Sequence, residues 1–180
     1  MKSIFLEEGL YLRYTHLRYY EDIEIMRLSK TPGDEIIFAL CFLLPPASLR
    51  SVDHIFRPSP QTGYPSNVFL TSNNNRLSAR IPEGLLSHTL ELLFSQEWLY
   101  AHLADMEERI GSIVDKLGGE KPASVIAGTT RASDDHLLSE IAFELYKPLF
   151  SLLAVRSRAL MLLANILCRI PDVPFHSTKK

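Results

Sequence analysis

The side chains able to move protons or bind metal are few and scattered. Six histidines stand at 16, 54, 88, 102, 136 and 176, no two within five residues of each other. The two cysteines, Cys41 and Cys168, lie in separate apolar runs and read as small buried hydrophobes. A local zinc site needs ligands a few residues apart, and neither cysteine has such a neighbour, so no metal is expected. His88 and His102 could share a helical face, but along a straight helix they would stand about 21 Å apart, too far for one ion. There is no Gly-x-Ser-x-Gly elbow, no phosphate-cradling glycine loop ending in Lys-Ser/Thr and no dinucleotide fingerprint. The expectation is a chain with no catalytic group and no cofactor. One spacing stands apart: Arg131 precedes His136, and Arg169 precedes His176, with four and six residues between.

That spacing resembles the Arg-x(4–6)-His signature of HEPN-type ribonucleases. The resemblance implies an Arg and a His brought together near a helix start, acting on the RNA 2′-hydroxyl and phosphate. Among twelve arginines and six histidines about one such pair arises by chance. The first pair also flanks Asp134 and Asp135, which would repel phosphate, so the nuclease ranks third among the readings.

Arg156 is a different kind of signal. At 100° per residue, Leu149, Leu152, Leu153, Leu160, Leu163 and Leu167 all fall within about 60° of it. An unpaired guanidinium in such a stripe costs several kcal/mol. The sequence therefore predicts an ion pair with an acid of a neighbouring helix, or a side chain that snorkels out. The functional alternative is an anionic ligand or an acidic partner residue. Arg158, beside Ser151 and Asn165 on the opposite face, can be solvated.

Charge is segregated along the chain. The net is -2 overall. Residues 45–81 are basic through Arg50, Arg57, Arg76 and Arg80, whereas 82–147 are strongly acidic. A chain near neutrality is not built to coat nucleic acid. Still, a short helix over 47–56 with Arg50, His54 and Arg57, then a hairpin bearing Arg76 and Arg80, then a long helix, loosely follows the order of a winged helix-turn-helix DNA regulator. Nucleic acid is thus a possible partner, though not the favoured one.

The elements that must position these residues divide near residue 81. With 180 residues, 46% of them hydrophobic, the chain can bury one ordinary core, which excludes a disordered or low-complexity segment. Residues 1–81 read as a mixed α/β portion. A helix is expected over Leu6 to Tyr20, a strand over Asp22 to Leu28, and a hairpin over 67–72 and 76–81 around three asparagines. Residues 82–180 read as a helical bundle. Leu85, Leu92, Leu99, Met106 and Ile113 recur every seven residues, with Leu103 and Ile110 four beyond two of them and Gln96 as a polar interruption. One helix over 82–118 would be about 55 Å long and would need a partner for its seam. Helices over 133–147 and 149–169 complete the bundle.

The fold class expected is therefore mainly α with a small α+β N-terminal portion, a helical bundle with one long heptad-patterned helix and one β-hairpin, forming one compact domain overall. The function expected is non-catalytic: an interaction or assembly protein, oligomeric, an adaptor or a subunit of a larger complex, with itself or another protein as partner. The apolar stretch from Pro148 carries Arg156 and Arg158, each costing about 2.5–3.5 kcal/mol at a membrane centre, so no membrane span is expected. The N-terminus shows no targeting peptide, and the expected location is the cytoplasm.

Overall fold

The computed structural model describes residues 1–27, 35–43, 68–73, 77–81, 83–84, 86–103, 107–118 and 126–169. Their strands are β1 (Lys2–Glu7), β2 (Leu10–Arg18), β3 (Ile23–Arg27), β4 (Ile37–Leu43), β5 (Val68–Ser72), β6 (Leu77–Ile81), β7 (Leu86–Ser95) and β8 (Ile126–Gly128). Their helices are α1 (Gln96–His102), α2 (Glu107–Gly118), α3 (Ala132–Tyr146) and α4 (Leu152–Leu167). The main sheet has the order β1-β2-β7-β4-β5-β8, every neighbouring pair antiparallel; five of its strands run five to ten residues and β8 only three. β3 and β6 form a separate two-stranded ribbon. The mainly helical bundle expected from the sequence is not what forms: the centre of the fold is a sheet.

The expected helix over Leu6 to Tyr20 is instead the β1–β2 hairpin. Leu10, Leu12 and Tyr14 are buried while Tyr11 is exposed and Arg13 and Thr15 are only half-buried, a period of two. Gly9, with φ of +76°, turns the chain between the strands. The three- and four-residue spacing that suggested a helix used some of the same leucines and overlooked this turn.

The long helix over 82–118 is likewise absent, and with it the coiled-coil-like seam. β7 occupies its first part, paired with β2 on one side and β4 on the other. Leu90, Leu92 and Phe94 are fully buried and alternate with Glu91 and Leu93. A seven-residue recurrence does not constrain the residues between, and here those residues carry the strand period. Ser95 then caps α1 by accepting from the backbone N–H of Trp98 at 3.1 Å. Gln96 is the first residue of that helix. The roles of adaptor and complex subunit rested on the exposed seam of this helix and lose their ground with it.

The expected hairpin across the three asparagines is corrected as well. β5 and β6 are both strands, but β5 pairs with β4 and β8 whereas β6 pairs with β3. Asn73 makes other bonds: its Oδ1 accepts from the N–H of Ile37 at 3.0 Å and its Nδ2 donates to the carbonyl of Glu35 at 2.9 Å. It pins the end of β5 to the start of β4. The expected helix over 47–56 lies outside the described residues.

The core lies between the sheet and the helices. Phe38, Leu40, Leu70, Leu92 and Phe94 from the sheet join Ile113 and Leu117 of α2, Ile141 of α3, and Val155, Leu162 and Ile166 of α4 in one cluster. Each such side chain, fully withdrawn from water, contributes roughly 1.5–3 kcal/mol. Two polar bonds fasten the layers: Ser72 Oγ donates to the Leu117 carbonyl, and Lys2 Nζ to that of Leu145 near the end of α3.

Candidate functional site

Helix α4 starts at Ser151, whose Oγ accepts from the Ala154 N–H at 3.2 Å. It buries Val155, Ala159, Leu162, Leu163, Ile166 and Leu167. On the other side, Leu153, Ser157, Met161, Ala164 and Cys168 fall within about 80° of one another at 100° per residue. Leu153 is 74% exposed and Met161 56%; Ser157 and Cys168 are exposed and Ala164 half-buried. This outward face carries no charge. The cations beside it are engaged: Arg156 by Glu7 of β1, and Arg158 by Glu140 of α3, whose Oε2 accepts from Arg158 Nε at 2.9 Å. That bond holds the Glu140 carboxyl below the usual carboxylate range. A helix apolar on both faces is one that ordinarily lies covered on both.

Arg156 thus ends in an ion pair with a strand residue, and its side chain is 43% exposed. Glu7 is the hub of a small cluster. Its Oε1 accepts from Trp98 Nε1 at 2.7 Å and lies 3.7 Å from His102 Nε2, while its Oε2 takes Arg156. His102 stacks on Trp98 at 4.6 Å between ring centroids and places Nδ1 3.0 Å from the Trp98 carbonyl oxygen. The four-residue spacing of Trp98 and His102 was the available signal for this stack; nothing local in the sequence ties Glu7 to either.

Beside the cluster lies an open groove of about 480 Å³. The β1–β2 turn, the start of β4, the end of β7 and α1 form it, with Glu8, Tyr11, Glu35, Ile37, Glu97 and Trp98 among its walls.

A second polar chain crosses the sheet near the end of α3. Tyr14 Oη lies 2.9 Å from His88 Nε2 and donates to Tyr146 Oη at 2.9 Å, and Tyr146 Oη lies 3.1 Å from His16 Nδ1. Burial, then the bond to Tyr146, push the Tyr14 phenol well above the ordinary tyrosine range. His16 and His88 face each other across β2 and β7.

Of the seam residues, Leu92, Leu99, Ile110 and Ile113 are buried in the chain's own core. Leu103 caps α1 and is half-buried, and Leu85 and Met106 lie outside the described residues. Arg50, Arg57 and Arg76 also lie outside them; Arg80 stands in β6 opposite Glu24 of β3. Of the Arg–His pairs, His136 Nε2 is 3.9 Å from Glu140, Arg169 is paired with the fully buried Asp134, and His176 lies outside the described residues. Among the described residues no three His, Cys, Asp or Glu side chains group to hold a metal ion, and no helix is long and apolar enough to cross a membrane.

No protein-family model matches the sequence, and no curated protein matches it. Among solved structures, ToxT from Vibrio cholerae, determined at 1.65 Å, is weakly similar in fold: 10% identity, TM-score 0.41, over 96% of this chain and 61% of that one. ToxT from Vibrio cholerae O395 bound to (E)-4-(8-methylnaphthalen-1-yl)but-3-enoic acid gives 9% identity and a TM-score of 0.40, over 92% and 59%. The chain spans about three fifths of the length of these structures.

Proposed function

We propose that this protein is a non-catalytic, self-associating domain whose contact surface is the outward face of α4. The observation that carries the reading is the uncharged stripe from Leu153 through Ser157, Met161 and Ala164 to Cys168, opposite the buried face of the same helix. Exposed apolar area of this kind, bordered by ion pairs, is what an association surface offers. A second copy suits it sterically. In an antiparallel two-fold pairing, Leu153 of one copy meets Ala164 of the other, and Ser157 meets Met161, so large side chains oppose small ones. Sedimentation velocity is the test. The unmodified chain is expected to sediment as a dimer at micromolar concentration, and Leu153→Glu with Met161→Glu as a monomer with the same far-ultraviolet circular dichroism. A monomeric unmodified chain, or a dimer indifferent to both substitutions, overturns the reading.

A further inference from the structure

Imidazole is the side chain whose charge ordinarily changes between about pH 5 and pH 8, and the Glu7 cluster holds one, His102. Its contacts assign the two ring nitrogens. Nδ1 lies 3.0 Å from the Trp98 carbonyl oxygen. A carbonyl oxygen only accepts, so Nδ1 carries a proton in the neutral ring as well as in the charged one. The proton gained in acid therefore goes to Nε2, the atom that stands 3.7 Å from Glu7 Oε1.

Charging the ring adds two attractions at once. The charge is gained beside a carboxylate whose side chain is only 15% exposed, where salt and water screen a pair less than at the open surface. The ring also lies flat on Trp98, 4.6 Å between centroids with the planes 13° apart, and an aromatic face attracts a cation. Among the described residues, the surrounding groups favour the charged ring. β1 brings Glu7. The β1–β2 turn brings Glu8, β2 the phenol of Tyr11, the approach to β4 Glu35 and α1 Glu97, all lining the groove that His102 borders. The opposing cation is Arg156 of α4, and it takes the other oxygen of Glu7. The two cations thus meet separate oxygens and do not compete for one.

We propose that His102 is a pH-sensitive clasp: in acid it fastens α1 to β1 through Glu7, and it lets go as the pH rises. The contribution is complete while the folded chain holds the ring charged, and is lost as Nε2 gives up its proton.

Trp98 is the chain's single tryptophan, so its emission reports on the stacked ring directly. A charged imidazole in contact with an excited indole quenches it. Emission of the full chain is read from about pH 8 to about pH 5, with His102→Gln as the control that cannot titrate, its fold checked by far-ultraviolet circular dichroism. The unmodified chain is expected to lose emission reversibly across that interval, while the variant stays level. Urea unfolding at either end of the interval tests the clasp itself. From the upper to the lower pH, the unmodified chain should gain on His102→Gln by up to about fivefold in the ratio of folded to unfolded protein. That gain should vanish when both chains also carry Glu7→Gln, and, with no further substitution, it should shrink in high salt. Level emission in the unmodified chain, an advantage over His102→Gln that does not change with pH, or a gain that survives Glu7→Gln or high salt undiminished would each overturn the proposal.

Discussion

Gly9 combines two constraints that a substitution separates. Its φ of +76° is a conformation costly for any residue with a Cβ, and a Cβ placed there would sit 2.9 Å from Trp98 Cβ and 3.0 Å from Ser95 Oγ. Gly84 has a similar φ of +80° but open space around it. Gly84→Ala is therefore expected to lose about 1 kcal/mol, from the backbone alone. Gly9→Ala should lose about 2–4 kcal/mol, because the side chains of α1 must also move. Urea unfolding of the two variants measures the difference, and equal losses would show that the approach of Trp98 imposes nothing. At this scale the sequence is informative about type but not about partner. Arg156 can be marked as a charge needing compensation from its wheel position. That Glu7, 149 residues away, supplies it follows from the way β1 and α4 are brought together.

Elements are joined by polar contacts as well as by the core, and the Tyr14 network is the clearest case, linking β2 and β7 to the last residue of α3. Its pH dependence has a definite sign. The Tyr14 phenol is raised above its unfolded value, so the folded chain holds that proton more tightly than the unfolded one. The stability associated with it is complete below about pH 10 and is lost as pH climbs through the folded value. Above pH 10 the loss is at most about 1.4 kcal/mol per pH unit for one proton. Tyr14→Phe should flatten that part of the alkaline stability profile, read by urea midpoints across pH 9 to about 11; an unchanged slope would assign it to other groups. The helices α3 and α4 were legible as elements because their apolar residues recur at helical spacing and Pro148 separates them. β3, β5 and β6 were legible as strands, though not their pairing. The β1–β2 hairpin and β7 were not, because leucines at helical spacing also satisfied a period of two, and only pairing with a neighbour selects between them.

Across the whole molecule, β7 holds the fold together: it is flanked by β2 and β4, backed by the helices through Leu90, Leu92 and Phe94, and continues into α1. Native-state hydrogen exchange should find its amides among the slowest, opening only with global unfolding, while those of the short edge strand β8 exchange through local fluctuations. Fast exchange along β7 would contradict its central place. What the sequence alone determined is what local chemistry determines: a chain with enough apolar mass for one core, a last helix apolar nearly all round, and a burden of charge at Arg156. Which strands neighbour which, what meets Arg156, and the assembly of the groove from four separate elements were decided by tertiary structure. Sheet pairing joins residues far apart in the chain, such as Leu12 and Leu92, and no spacing within either segment encodes the other.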